Sequence, residues 1–157
     1  MRSYINDDFF LEKGFRISTD ESLINFDLVY KYLDQDSYWA KNIPAETVRK
    51  AIENSLCFGV YKQNNQVGLA RVITDKATFA YICDVFILPD FRGIGLSKWL
   101  MQTILNFPEL QGLRRWSLAT LDAHGLYSQF EFTKLTFPER WMEILRPYQS
   151  RVKEENE

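Results

Sequence analysis

The run Asp84-Val85-Phe86-Ile87-Leu88-Pro89-Asp90-Phe91-Arg92-Gly93-Ile94-Gly95-Leu96-Ser97-Lys98 decides the fold. An apolar stretch from Thr78 to Leu88 enters a loop, Pro89 to Gly95, that carries two glycines. Beyond it, Ser97 to Leu105 places Leu100, Met101, Ile104 and Leu105 at helical spacing. The pattern predicts strand, loop, helix. Gly93 and Gly95 let the backbone turn tightly and approach a ligand closely. A helix start offers unpaired N–H groups and a partial positive charge, so the junction can hold a pyrophosphate. Arg92 and Lys98 add charge at its rim. A Walker A loop is not spelled here, and GxGxxG fails because Lys98 occupies the third glycine position.

Upstream, Phe15 to Ser18 alternates as a short strand. Thr19 or Asp20 can cap a following helix, with Leu23, Phe26, Val29, Tyr30 and Leu33 on one face. The acidic, aromatic segment Asp34 to Trp39 should end it. Pro44 suits a helix start, and Val48 with Ile52 continues a second helix to about Asn54. Leu56 to Lys62 and Val67 to Thr74 read as a hairpin turned at Asn64-Asn65. Asp75-Lys76 turns into the strand Thr78 to Leu88, apolar on both faces and therefore central. Downstream lie a strand at Trp116 to Leu121, a short helix at Ala123 to Phe130, and a closing pair at Phe132 to Leu135 and Trp141 to Leu145. The sum is an α/β (α+β) chain. Its mixed central sheet combines an antiparallel meander with a β-α-β crossover, flanked by about four helices.

The chain has 157 residues, 46% hydrophobic and 25% charged, which suits one globular domain over 1–150 and a charged tail over 151–157. The net charge of -2 gives no electrostatic reason to expect nucleic acid. Asp7 and Asp8 stand where a signal peptide needs apolar residues, and no stretch approaches the ~20 apolar residues of a membrane span. A cytoplasmic protein without membrane partners is expected. Cys57 and Cys83 sit in apolar strands and read as reduced, buried thiols. With one histidine, His124, and no CxxC, no metal site is expected.

Two segments resemble the GCN5-related N-acetyltransferase (GNAT) superfamily. Arg92-x-x-Gly95-x-Ser97, preceded by Val85 to Pro89, is similar to its pyrophosphate loop R/Q-x-x-G-x-G/A. Leu118 to Phe132, with Ala123-x-x-x-Tyr127, is similar to its second acyl-CoA motif. Leu135-x-x-Pro138 and Trp141-Met142-Glu143 look like its last strands. The resemblance covers residues 15 to 145, with two departures. Ser97 stands for Gly or Ala, and Glu131 for the Gly that usually precedes Phe132.

The resemblance implies a GNAT-like fold in which the strands matching Thr78 to Leu88 and Trp116 to Leu121 splay apart to admit acetyl-CoA. Backbone groups of Phe86, Ile87 and Leu88 would hold pantetheine, and one amide would stabilise the oxyanion. Arg92, Gly93, Ile94, Gly95, Leu96, Ser97 and Lys98 would hold the pyrophosphate, with Thr120 and Tyr127 completing the cofactor set. Tyr127 falls on the family's general-acid tyrosine. An alkylamine must lose a proton before attack. Asp84, a carboxylate interrupting an apolar strand, is the first candidate base, ahead of Tyr81, Asp122 and His124. Asp34, Asp36, Tyr38 and Trp39 would line the acceptor pocket and suit a small cationic amine. The implied activity is acetyl transfer from acetyl-CoA to a small-molecule amine by direct attack in a ternary complex. A protein or peptide acceptor and a non-catalytic acyl-CoA-binding module are the alternatives. The resemblance and the exposure of the final strands point to a homodimer.

Overall fold

A computed structural model describes residues 5–150. The charged tail read over 151–157 lies outside the described residues. Five strands lie in sequence order: β1 (Phe15–Ser18), β2 (Leu56–Lys62), β3 (Asn65–Thr74), β4 (Phe79–Ile87) and β5 (Arg115–Leu118). The first four are antiparallel, and β4 and β5 are parallel neighbours. Helix α4 (Leu96–Leu105) makes the crossover between them. The mixed sheet, the central β4 and the flanking helices match the sequence expectation.

Each sheet face carries its own core. On one side α4 lays Leu96, Trp99, Leu100, Met101 and Ile104 against Phe58, Val60, Ala70, Val72 and Ile82. On the other, α2 (Phe26–Lys31) and α3 (Ala45–Glu53) pack Val29, Val48 and Ile52 against Cys57, Leu69 and Phe86. Alternate strand residues thus serve opposite layers, which is why β4 reads as continuously apolar.

Four boundaries depart from the sequence reading. The helix expected through Leu23 and Leu33 is divided. Asp20 caps a single 3-10 turn (Glu21–Leu23), Asn25 accepts from the Leu28 amide at 3.1 Å to start α2, and a π turn (Tyr32–Asp36) carries the winding through the acidic segment. Two side-chain caps within six residues favour two starts over one long helix. The β2–β3 turn sits at Gln63-Asn64, one residue early, with Gln63 at a φ of 52°. An additional helix, α1 (Asp7–Glu12), opens the chain. Its signal was Asn6, whose side chain accepts from the Asp8 amide, followed by two acidic residues in the first turn.

The closing strand pair is not formed. Phe132 to Leu135 and Trp141 to Leu145 are irregular, with only a 3-10 turn at Pro138–Arg140 between them. Arg115 lies over the Trp141 ring at 5.0 Å, a side-chain contact where a strand ladder was expected. Beyond that anchor Met142, Ile144 and Leu145 are 96%, 82% and 72% exposed.

Candidate functional site

The site begins where β4 and β5 part. Their parallel register runs from Phe79↔Arg115 to Ile82↔Leu118 and stops, although β4 continues to Ile87. A bulge starts the separation. The register against β3 shifts between Leu69 and Arg71, which sets one extra β4 residue opposite Ala70. Asp84 sits there with a φ of 51°. Bulges bend and twist their strand, so the end of β4 is turned away from β5.

The opening is a cavity of about 340 Å³. Tyr38, Trp39, Tyr81 and Tyr127 line it, with Val85 and Leu121 among its apolar walls. The loop bearing Tyr38 and Trp39 is pinned by buried Ser37, whose hydroxyl donates to the Leu33 carbonyl at 2.6 Å and accepts from the Ala40 amide at 3.1 Å. The Tyr38 hydroxyl accepts the Leu121 amide at 2.9 Å, tying that loop to the chain leaving β5. Asp34 and Asp36 do not line the cavity, contrary to the sequence expectation. Both lie on the π turn, and of that segment the cavity keeps only the two aromatics.

Tyr127 lies on the short helix α5 (His124–Ser128) and is 8% exposed. Burial, with Tyr38 and Asp122 nearby, pushes its phenol up to about 12. It stays protonated at neutral pH, the state a proton donor needs. Phe132 meets its ring edge-on at 6.0 Å, and the Phe132 amide bonds the Tyr127 carbonyl at 3.3 Å. The turn that brings Phe132 back places Glu131 at a φ of 69°. An L residue pays roughly 1–2 kcal/mol there, which explains why glycine would suit this position. Glu131→Gly is expected to stabilise the protein by about 1 kcal/mol, a rise of about 2–4 °C in Tm by calorimetry.

The loop after β4 is organised by Arg92. Its Nε donates to the Ile87 carbonyl at 2.8 Å and an Nη to the Tyr32 hydroxyl at 3.1 Å. Gly93 and Gly95 have φ values of 82° and 94°. Gly95 caps α4 without any side-chain acceptor, so the first-turn amides of α4 receive no side-chain cap. Beneath them Phe10 of α1 stacks on Trp99 at 4.8 Å, and Trp99 donates to Asp7 at 2.6 Å. A cradle of orphan amides with no Cβ in the way fits an anion such as a pyrophosphate. Ser97 is half-buried and Lys98 and Ile94 are exposed at this mouth; Leu96 is buried below it.

Of the strand groups, the Leu88 amide is spent on the Val67 carbonyl at 2.8 Å. Phe86, paired with Leu69, faces β3 in the same way. By alternation the Ile87 amide faces the opened side. Thr120 accepts the Ala123 amide at 3.0 Å and so shapes the turn into α5. Asp122 lies exposed at the cavity rim, and exposed His124 is not part of the lining. Cys57 and Cys83 are free, and burial pushes both thiols up to about 12.

Sequence reasoning missed two residues of this region, Arg71 and Tyr32. Arg71 pairs with Asp84, and Tyr32 stacks on Phe86 at 3.9 Å. Both looked like ordinary strand and helix residues; the β3–β4 register brings Arg71 here, and helix-on-sheet packing brings Tyr32.

Among known families, the acetyltransferase (GNAT) family profile matches residues 26–132. A Gibberella zeae protein named as a candidate acetyltransferase is 37% identical over 72% of this chain and 75% of its own length. A crystal structure from Xanthomonas campestris, assigned to the GNAT family, superposes with a TM-score of 0.83 at 52% identity, covering 85% of this chain and 94% of that one. A Clostridium acetobutylicum structure described with acetyl-CoA shares the fold at a TM-score of 0.59 and 16% identity, over 83% of this chain and 94% of its own. The motifs, the parted strands and these matches agree: the chain belongs to the GNAT acetyltransferase family.

Proposed function

We propose that this acetyltransferase moves the acetyl group of acetyl-CoA to the primary amine of a small molecule, by direct attack in a ternary complex. The observation that carries the reading is the parting of β4 and β5 beyond Ile82 and Leu118, with Tyr127 inside the opening and the uncapped start of α4 following the end of the parted β4 in the chain. The first-turn amides of α4 would hold the pyrophosphate, and the Ile87 amide would receive the thioester carbonyl as negative charge develops on its oxygen. The neutral amine nitrogen forms the new bond to the carbonyl carbon while the carbon–sulfur bond breaks, and the proton the nitrogen sheds passes to solvent. Tyr127 would donate to the leaving thiolate. The small volume of the cavity, about 340 Å³, and its mainly apolar lining support a compact acceptor over a long peptide.

The test is release of CoA thiol from acetyl-CoA across polyamines, amino acids, aminoglycosides, arylalkylamines and short peptides, with the N-acetyl product identified by mass spectrometry. Turnover with a small amine supports the reading. Turnover with peptides alone would replace the acceptor class, and acetyl-CoA binding without turnover would leave a binding module.

The pH dependence follows from the raised Tyr127 phenol. A donor acts below its pKa, and this one lies at about 12. The kcat/KM for the acceptor should rise about tenfold per pH unit below the amine pKa and show no fall up to about pH 10. A pH–rate profile checks this.

The unpaired outer edge of β5 and the exposed apolar residues beyond Trp141 support assembly as a homodimer. Sedimentation velocity tests it: a single monomeric species would remove the dimer. No helix among the described residues is long and apolar enough to cross a membrane. The two unpaired thiols suit the reducing cytoplasm, where we place the activity.

A further inference from the structure

The middle of β4 holds a carboxylate that is bonded at both oxygens. Asp84 has a left-handed backbone, which Asp and Asn tolerate better than most residues. It is 9% exposed. One carboxylate oxygen accepts the Trp39 indole N–H at 2.8 Å, and the other accepts the Arg71 Nε–H at 2.7 Å. Arg71 is itself fixed by an Nη bond to the Ser55 hydroxyl at 3.1 Å. The unit therefore joins β3, the β4 bulge and the loop that follows the π turn.

Trp39 is the end of this unit that faces the cavity, with Tyr38 edge-on to it at 5.0 Å. Its other flank is tilted against Tyr32 at 6.3 Å. A tryptophan on a loop, partly exposed, would otherwise sample several rotamers. The bond to Asp84 removes that freedom before a ligand arrives, and such pre-ordering lowers the cost of binding.

We infer that Asp84 is a positioning residue, which through the Trp39 indole sets an aromatic wall of the acceptor cavity, and that this wall selects amines carrying a compact apolar or aromatic body. The inference rests on the reading of the cavity as the acceptor site. The charge of the acceptor has little to meet there. Of the two lining carboxylates, Asp84 already serves two donors and Asp122 stands at the exposed rim. The body meets Tyr38, Trp39, Tyr81, Val85 and Leu121.

Steady-state kinetics on Asp84→Asn, Trp39→Phe and the double variant test this, with wild type beside them. Asparagine keeps the shape and suits the left-handed backbone, but it offers one acceptor to two donors; the charged Arg71 guanidinium claims that oxygen, so the Trp39 bond is the one lost. Both single variants should raise the acceptor KM about tenfold for an arylalkylamine, the scale of a lost apolar contact, with kcat within about threefold. The double variant should be no worse than either single, because both remove the same interaction. A base would behave differently: Asp84→Asn would lower kcat by about 10²-fold or more with KM unchanged, and that result overturns the inference. So does a double variant whose KM effect is the product of the singles. Exchange of the Trp39 indole proton, followed by NMR and assigned from its loss in Trp39→Phe, is read without turnover. It should quicken in Asp84→Asn; an unchanged rate overturns the positioning role. Wild type inert toward every amine, with the indole result as expected, would sink the acceptor reading while leaving the Asp84–Trp39 unit standing.

Discussion

Tyr127→Phe should lower kcat by about 10²-fold while leaving acetyl-CoA affinity within about twofold. The substitution removes only the hydroxyl. The ring keeps its buried place and its edge-on contact with Phe132 at 6.0 Å, so the cavity shape survives. The size of the effect follows from acidity. A free thiol has a pKa of about 8.5, whereas burial holds the Tyr127 phenol at about 12. Complete transfer from Tyr127 to the leaving thiolate is uphill, so the hydroxyl contributes mainly a hydrogen bond that strengthens as charge gathers on sulfur. That argues for the lower end of the range for general acids, about 10² to 10⁴. Single-turnover product formation, with affinity measured separately, checks it. A kcat within about twofold of wild type would remove Tyr127 from the chemistry.

Gly95→Ala should weaken acetyl-CoA binding by about tenfold, with the fold intact. Space is not the obstacle: a Cβ at Gly95 would meet its nearest neighbour, the Phe10 ring, at 3.5 Å, an ordinary contact. The backbone is. Its φ of 94° is free for glycine and costs alanine roughly 1–2 kcal/mol. The free loop can relax to escape that strain, since Ile94 and Gly93 are exposed and nothing lies within 4 Å of a Cβ at Gly93. Bringing the α4 amides back onto a pyrophosphate restores the strain, and the cost then falls on affinity. Isothermal titration with acetyl-CoA gives the change directly, and melting in the absence of ligand separates it from a loss of stability.

Much of this was legible because local rules and tertiary demands agree. The run from Thr78 to Leu88 is apolar on both faces since both faces are covered, and the glycines at 93 and 95 stand where the chain turns with positive φ. The Asn6 cap of α1 is a local signal of the same kind. Other features depended on information that periodicity does not hold. Asp84 interrupts the strand visibly, but its partners Trp39 and Arg71 are 45 and 13 residues away: the register of β3 and β4 brings Arg71 to it, and the packing of the loop after the π turn brings Trp39. The acidic residues Asp34 and Asp36 suggested a pocket for a cationic amine, yet they stand outside the cavity lining, on the π turn. The closing strands failed for a tertiary reason: apolar composition makes Trp141 to Leu145 strand-like, but a strand needs a backbone ladder, and this segment meets the start of β5 through the Arg115 side chain over Trp141.

The location of the acetyl-CoA site is tested most directly by amide hydrogen exchange on the full chain with and without acetyl-CoA. The expected result is protection concentrated in the end of β4 and the loop into α4, from Val85 to Lys98, and in the turn from Leu118 to Tyr127, with the β1–β2 side of the sheet unchanged. Absence of ligand-dependent protection, or protection centred on the outer edge of β5 and the segment beyond Phe132, would contradict it.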